Sequence, residues 1–268
     1  VRLPESLRAL LERNFGIRAT ATVPVVGQGD EAAVWRVDSE PRLIVRASPA
    51  SRDPAQLAES YELAWALADR VPEVTAPLRT TTGAVVLPWQ GRPVSVWPYV
   101  EGGFLDHHDQ AQRDAAADLL ARLHRAGLDL LRETGRSVTA GQGLVHGDFY
   151  SRNLLCRDGR IAGLIDWDDV RVERLDAELA WVTWELTKSP AGEDMITDRA
   201  VDFVAAYRRA GGPARPGSDF LQLIKERLTG ELDGDDPDYV ASLRAALPTL
   251  IESRHRDLVR LLDQDRQR

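Results

Sequence analysis

Hydrophobic patterning changes once along this chain, at Gly102-Gly103, and that change bounds what the chain can fold into. Before it, VPVVG, AAVWRV, RLIVRA, AVVLPW and SVWPYV are short apolar runs rich in β-branched residues. Polar or glycine turns separate them, which predicts strands. One helix interrupts them, DPAQLAESYELAWALADRV at 53–71, stopped by Pro72. Another is expected over residues 3–14, where Leu3, Leu7, Leu10 and Leu11 share a face behind Pro4. Beyond the glycines the period is helical: Ala116, Leu119, Leu120 and Leu123 fall on one face. LDAELAWVTWEL, ITDRAVDFVAAYRRAG, SDFLQLIKERLTGEL and the stretch from Asp238 to Asp263 continue it. Only GLVHG with NLLC, and RIAGLIDW, read as strands there, flanking the RDGR turn at 157–160 as in a hairpin. The expected fold class is α+β, with a strand-rich N-terminal lobe at 1–100 and a larger, mostly helical lobe at 101–268.

Composition removes several function classes. A formal net charge of -8 is wrong for general nucleic-acid binding, which needs clustered positive charge. It does not oppose an anionic nucleotide, whose site is set by local groups and backbone amides. Cys156 is the single cysteine, so no intrachain disulfide or thiolate cluster can form. The first residues, VRLPESLRALLERNF, lack the apolar core of a signal peptide, and no run approaches a membrane span. A cytoplasmic location without membrane partners is the expectation, with oligomeric state open.

Chemistry concentrates in two segments, HGDFYSRN at 146–153 and IDWDD at 165–169. Asp148 and Asn153 bracket a short loop before one strand, and Asp166 ends the next. A tight hairpin would bring a carboxylate, an amide oxygen and a second carboxylate to one end. Such hard oxygens suit Mg²⁺. With two of them on the metal, the third group is left to receive a proton from an attacking hydroxyl. Asp and Asn are also common in turns. Either motif alone would be ambiguous, whereas two in order with strands around both are not.

The pair of motifs resembles the aminoglycoside phosphotransferase and choline kinase-like enzymes, relatives of the protein kinases that phosphorylate antibiotics and small metabolites. The resemblance implies a protein-kinase-like bilobal fold and transfer of a phosphoryl group from Mg²⁺-bound ATP or GTP to a hydroxyl of a small polar molecule. It implies that Asp148 orients and deprotonates the acceptor, that His146 supports the loop, and that Asn153 and Asp166 hold the metal, with Asp168 as a further candidate. The strand cation of that fold falls on Arg46, with Glu59 on the following helix as expected partner and Glu62 as runner-up. Gly27 and Gly29 mark a phosphate-approaching turn that lacks the third glycine of the protein-kinase loop and is not a Walker A motif. The VSVWPYVEGG stretch with Trp97 and Tyr99 would lie along the base, although both rings also suit a core.

Other polar residues receive blander assignments. His107 and His108 lack a zinc spacing and read as a solvated loop, His124 as packing or capping, Asp176 as an N-cap or loop tether. A regulated protein kinase is disfavoured by the missing APE segment and the short gap from Asn153 to Asp166. A catalytically inactive nucleotide-binding module would lack one of Asp148, Asn153 and Asp166, and a metal-dependent hydrolase would carry more His ligands. For the acceptor, an amino sugar or amino alcohol is favoured because residues 170–238 hold 15 Asp and Glu against 9 Arg and Lys. Neutral sugars, macrolides and homoserine-type metabolites are the alternatives.

Overall fold

The computed structural model describes residues 3–19, 21–25, 32–190, 192, 194–232, 240–241 and 243–246. Gly27, Gly29 and most of the helix expected from Asp238 to Asp263 lie outside the described residues. The chain clusters into two compact units, Val1–Glu101 with Gly163–Val170, and Gly102–Ala162 with Arg171–Arg268. The return of 163–170 to the first unit was not expected from the sequence.

In the first unit, five antiparallel strands lie in the order β1-β2-β3-β5-β4. They are β1 (Ala21–Pro24), β2 (Ala33–Asp38), β3 (Leu43–Ala47), β4 (Leu87–Trp89) and β5 (Arg92–Pro98). Of the expected strand AVVLPW only Leu87–Trp89 is extended in the sheet. Helix α1 (Glu5–Phe15) buries Leu7 and Leu11, and with Leu3 they pack among Val37, Val45, Val94 and Val96. Alternation along β3 then decides the other face. Leu43, Val45 and Ala47 belong to that core, so Ile44 and Arg46 point the opposite way. Register places Arg46 across from Ser95 and Ile44 across from Trp97 on β5. Helix α2 (Pro54–Ala68) reaches this second face through Tyr61, whose ring meets Trp97 edge-on at 4.8 Å. Asp53 caps α2 by accepting from the Ala55 N–H, with Pro54 in the first turn.

The second unit carries α3 (Gln110–Glu133), α4 (Leu175–Thr187), α5 (Thr197–Arg209) and α6 (Phe220–Gly230). Two short sheets accompany them. Strand β7 (Gln142–Val145) pairs with β10 (Arg171–Arg174), and β6 (Gly103–Phe104) pairs with β8 (Leu154–Arg157), which neighbours β9 (Arg160–Leu164). The expected hairpin is therefore β8–β9, turned by Asp158 and Gly159, both at positive φ (52° and 72°) as a primed turn needs. GLVHG does not join NLLC; its partner is β10. Helix α3 lies close against β7: a Cβ on Gly127 would stand 2.8 Å from the Leu144 Cβ. That contact fixes the strand that delivers the 146–153 loop. Among the described residues no helix is long and apolar enough to cross a membrane.

Candidate active site

The loop after β7 is held by its own hydrogen bonds. Gly147 adopts φ 86°, a left-handed conformation that a side chain would strain. His146 is buried, and its Nδ1 accepts from the Asp148 N–H at 3.3 Å. A single 3₁₀ turn, Ser151–Asn153, brings buried Asn153 back to the loop. Its Nδ2 donates to the Asp148 backbone oxygen and to Asp148 Oδ2, both at 2.8 Å. The half-buried Asp148 carboxylate is thus aimed by an amide five residues on. With Nδ2 committed to Asp148, Asn153 keeps Oδ1 as an acceptor oxygen.

Beneath the loop lies a buried polar chain that sequence reasoning missed. The Gly147 N–H donates to Glu178 Oε1 at 2.8 Å, and Glu178 Oε2 is 2.7 Å from His124 Nε2. His124 Nδ1 is 2.7 Å from the Tyr207 hydroxyl, which accepts from the Ala214 N–H. One arrangement satisfies every group: His124 donates through Nε2 to the carboxylate and accepts the Tyr207 hydroxyl at Nδ1. Burial alone would raise the Glu178 pKa. The bonds from His124 and Gly147 outweigh it and hold the carboxyl below the usual glutamate range. Its stabilising contribution is therefore complete above that range and lost as pH falls through the lowered value. Glu178→Gln is expected to cost about 2 kcal/mol, within the range for hydrogen bonds to a charged group. Thermal melts across pH 3–7 test this. The gap between wild type and variant should narrow towards the acid end, and a constant gap would refute the role given to the ionised carboxylate. His124, assigned above to packing or capping, is a member of this chain. Asp176 is not an N-cap: Arg174 holds that position, and bridges Asp176 and Asp219.

In the first unit the segment after β9 meets β3. Asp166, at φ 66°, receives Arg46 Nη1 on Oδ1 at 2.7 Å. Asp168 Oδ2 lies 2.9 Å from Arg46 Nη2, a charge contact rather than a well-aligned hydrogen bond. Asp168 Oδ1 accepts from the Tyr61 hydroxyl at 2.8 Å, and its backbone oxygen from Ser60 Oγ at 3.4 Å. Trp167 between them is fully buried and donates from Nε1 to the Leu164 oxygen. Burial opposes the charge on Arg46, but Asp166 and Asp168 outweigh it and raise its pKa. Burial raises Asp168 first of all, with Asp166 adding to it and Arg46 opposing.

This arrangement corrects two expectations. Arg46 pairs with Asp166 and Asp168, not with Glu59, which is exposed on α2; Glu62 pairs with Arg79. Asp168, expected near the metal, gives one oxygen to Tyr61 and the other to Arg46. Trp97 is buried, with Nε1 on Ser95 Oγ, and so serves the core. Tyr99 is half-buried under Arg42 and Arg36, and its N–H donates to the Arg42 oxygen. Among the described residues no group of three or more His, Cys, Asp or Glu could hold a metal. Mg²⁺ needs no such cage. It binds through one or two protein oxygens and completes its shell with water and phosphate. Asp166 in the first unit and Asn153 in the second each carry a side-chain oxygen of that hard kind.

Comparison with known proteins gives these motifs a context. A search of curated proteins returned no match. Several solved structures are similar over nearly the whole chain. An aminopropanol kinase associated with a microcompartment has a TM-score of 0.68 at 17% identity, covering 96% of this chain and 100% of its own. Spectinomycin phosphotransferase APH(9)-Ia has a TM-score of 0.64 at 12% identity, covering 98% of each chain. Macrolide 2'-phosphotransferase MphH from Brachybacterium faecium has a TM-score of 0.59 at 16% identity, covering 93% and 99%. At such identities the likeness establishes the fold, that of the protein kinases. The model of the phosphotransferase enzyme family matches residues 22–141 and 128–221. That is well over half the chain, so the protein belongs to the phosphotransferase enzyme family and is a Mg²⁺-dependent small-molecule kinase.

Proposed function

We propose that the chain phosphorylates a hydroxyl of a small polar molecule bound by the helical unit, with ATP or GTP as donor and Asp148 as the group that takes the hydroxyl proton. The observation that carries this reading is the Asn153 amide holding the Asp148 carboxylate in place at 2.8 Å. A carboxylate fixed before the acceptor arrives loses little freedom at the moment of transfer. Asp166 and Asn153 are the oxygen donors for Mg²⁺, which when bound neutralises charge on the phosphates. Arg46 contributes a guanidinium to the same phosphates. The hydroxyl oxygen forms the new bond to phosphorus, the bond to the leaving nucleoside diphosphate breaks, and the hydroxyl proton goes to Asp148.

An amino sugar or an amino alcohol is the first acceptor class to test. The acidic excess of residues 170–238 supports it, and one similar structure is an aminopropanol kinase. Some of those acids are matched by bases of the same span, and the excess rests on the others. Glu173, Asp176, Glu185, Asp219 and Glu231 all sit in ion pairs. A screen of amino sugars, amino alcohols, neutral sugars and macrolides for acceptor-dependent release of ADP or GDP tests the reading, with Asp148→Asn as blank. Release only with amine-bearing acceptors is expected. Turnover confined to neutral or anionic acceptors would remove the cationic class and leave the phosphotransfer intact.

A further inference from the structure

We infer that Asp168, tied to α2 by Tyr61, is the fixed anchor of Arg46, and that Asp166 is its exchangeable partner. The inference rests on the reading of Arg46 as a phosphate-binding group and names the residues that position it. In the first unit Arg46 meets two carboxylates of very different surroundings. The Asp168 side chain is 2% exposed and the Asp166 side chain 35%. Taking Arg46 away from Asp168 would leave a buried carboxylate without its counter-charge, a strongly unfavourable state. Taking it away from Asp166 exposes a carboxylate that water or a cation can receive. The two contacts use different nitrogens: Nη2 for Asp168 and Nη1 for Asp166. A cation held on Asp166 Oδ2 would draw charge from Oδ1 and repel the guanidinium, which would free Nη1 to donate to phosphate while Nη2 keeps its place at Asp168.

What holds Asp168 is α2. The helix buries Leu57, Ser60, Tyr61, Ala64 and Leu67, one stripe at helical spacing. Two members of that stripe bond Asp168: Tyr61 to the carboxylate and Ser60 to the backbone oxygen. The Tyr61 ring is itself fixed by the edge-on contact with Trp97. An acid on α2 would do this work in the arrangement expected from the sequence. Here the acid comes from the segment after β9, and α2 supplies hydroxyls. Tyr61 and Asp168 are positioning residues that act through Arg46.

The test uses the full chain and MgATP, without any acceptor. Nucleotide affinity is measured by calorimetry for wild type, Arg46→Ala, Tyr61→Phe and the double variant, with thermal melts to show that each is folded. Tyr61→Phe removes one oxygen and is expected to weaken binding roughly tenfold. Added to Arg46→Ala, it should cause no further loss, since the hydroxyl acts only by placing the guanidinium. Asp168→Asn, a near-isosteric second variant, should show the same dependence on Arg46. A merely structural Tyr61 would give losses that multiply, and that result overturns the inference. Weak binding by Arg46→Ala with normal binding by Tyr61→Phe and Asp168→Asn overturns it too, leaving the phosphate reading standing. Normal binding by Arg46→Ala removes that reading, and the anchor with it.

Discussion

Asp148→Asn is expected to lower kcat about a thousandfold, within the range that a positioned general base contributes, and to leave nucleotide affinity within about twofold. The geometry predicts this separation. Asn153 Nδ2 donates to Asp148 Oδ2 and to the Asp148 backbone oxygen. An asparagine at 148 can still accept that bond through its own amide oxygen, and the Asp148 N–H can still donate to His146 Nδ1. The loop therefore keeps its shape, and what disappears is the negative charge and the capacity to take a proton. Steady-state kinetics with a true acceptor, beside calorimetric titration of nucleotide, checks both halves. An unchanged kcat would remove Asp148 from the chemistry. A parallel fall in nucleotide affinity would place it with the metal and phosphates instead.

The motif loops were legible because each is local. HGDFYSRN carries Asp148, Asn153 and the glycine whose φ the turn requires within eight residues, so spacing alone brings the amide to the carboxylate. The helices α3 to α6 of the second unit were legible for the same reason, since each apolar pattern runs over three or more turns. The partner of Arg46 was not. Tyr61 and Asp168 are 107 positions apart, and IDWDD offers three acids of identical chemistry in one turn. Which of them is buried depends on how Trp167 seats, not on any local pattern. The error over Glu59 was avoidable. Leu57, Tyr61, Ala64 and Leu67 define the buried stripe of α2, and a residue two positions after Leu57 is rotated about 200° from it, onto the opposite side. Glu178 also left a trace. The two glutamates of the otherwise apolar ELAWVTWEL must be paired if that helix is buried: Glu185 has Lys188 three residues on, and Glu178 has His124 on the helical stripe of α3. Strand β10 left none: RVER is mostly exposed, and its place is set by pairing with β7.

The other large effect is expected at Asp166, and the backbone there dictates the choice of variant. With φ at 66°, alanine would add steric cost of its own, about 1 kcal/mol or more, whereas asparagine tolerates this region as well as aspartate does. Asp166→Asn should fold normally. The pair it forfeits involves a side chain about one-third exposed, which contributes at most about 1 kcal/mol, and Arg46 retains its contact with buried Asp168. The loss should fall on the metal. Exchanging a carboxylate for a neutral amide removes the one full negative charge among the proposed protein ligands, and Mg²⁺ affinity depends on such hard anionic oxygens. Metal stabilisation of transferring phosphate is a matter of several kcal/mol, so kcat should drop on the order of a thousandfold. A second signature separates this from the loss of Arg46 or its anchor. Wild-type protein should bind ATP more tightly with Mg²⁺ than with EDTA, whereas Asp166→Asn should bind it about equally in both. Tyr61→Phe should weaken ATP binding yet preserve the difference between the two conditions. If Asp166→Asn retained the full Mg²⁺ enhancement, Asp166 would not be a metal ligand, and its pair with Arg46 would be a structural contact only.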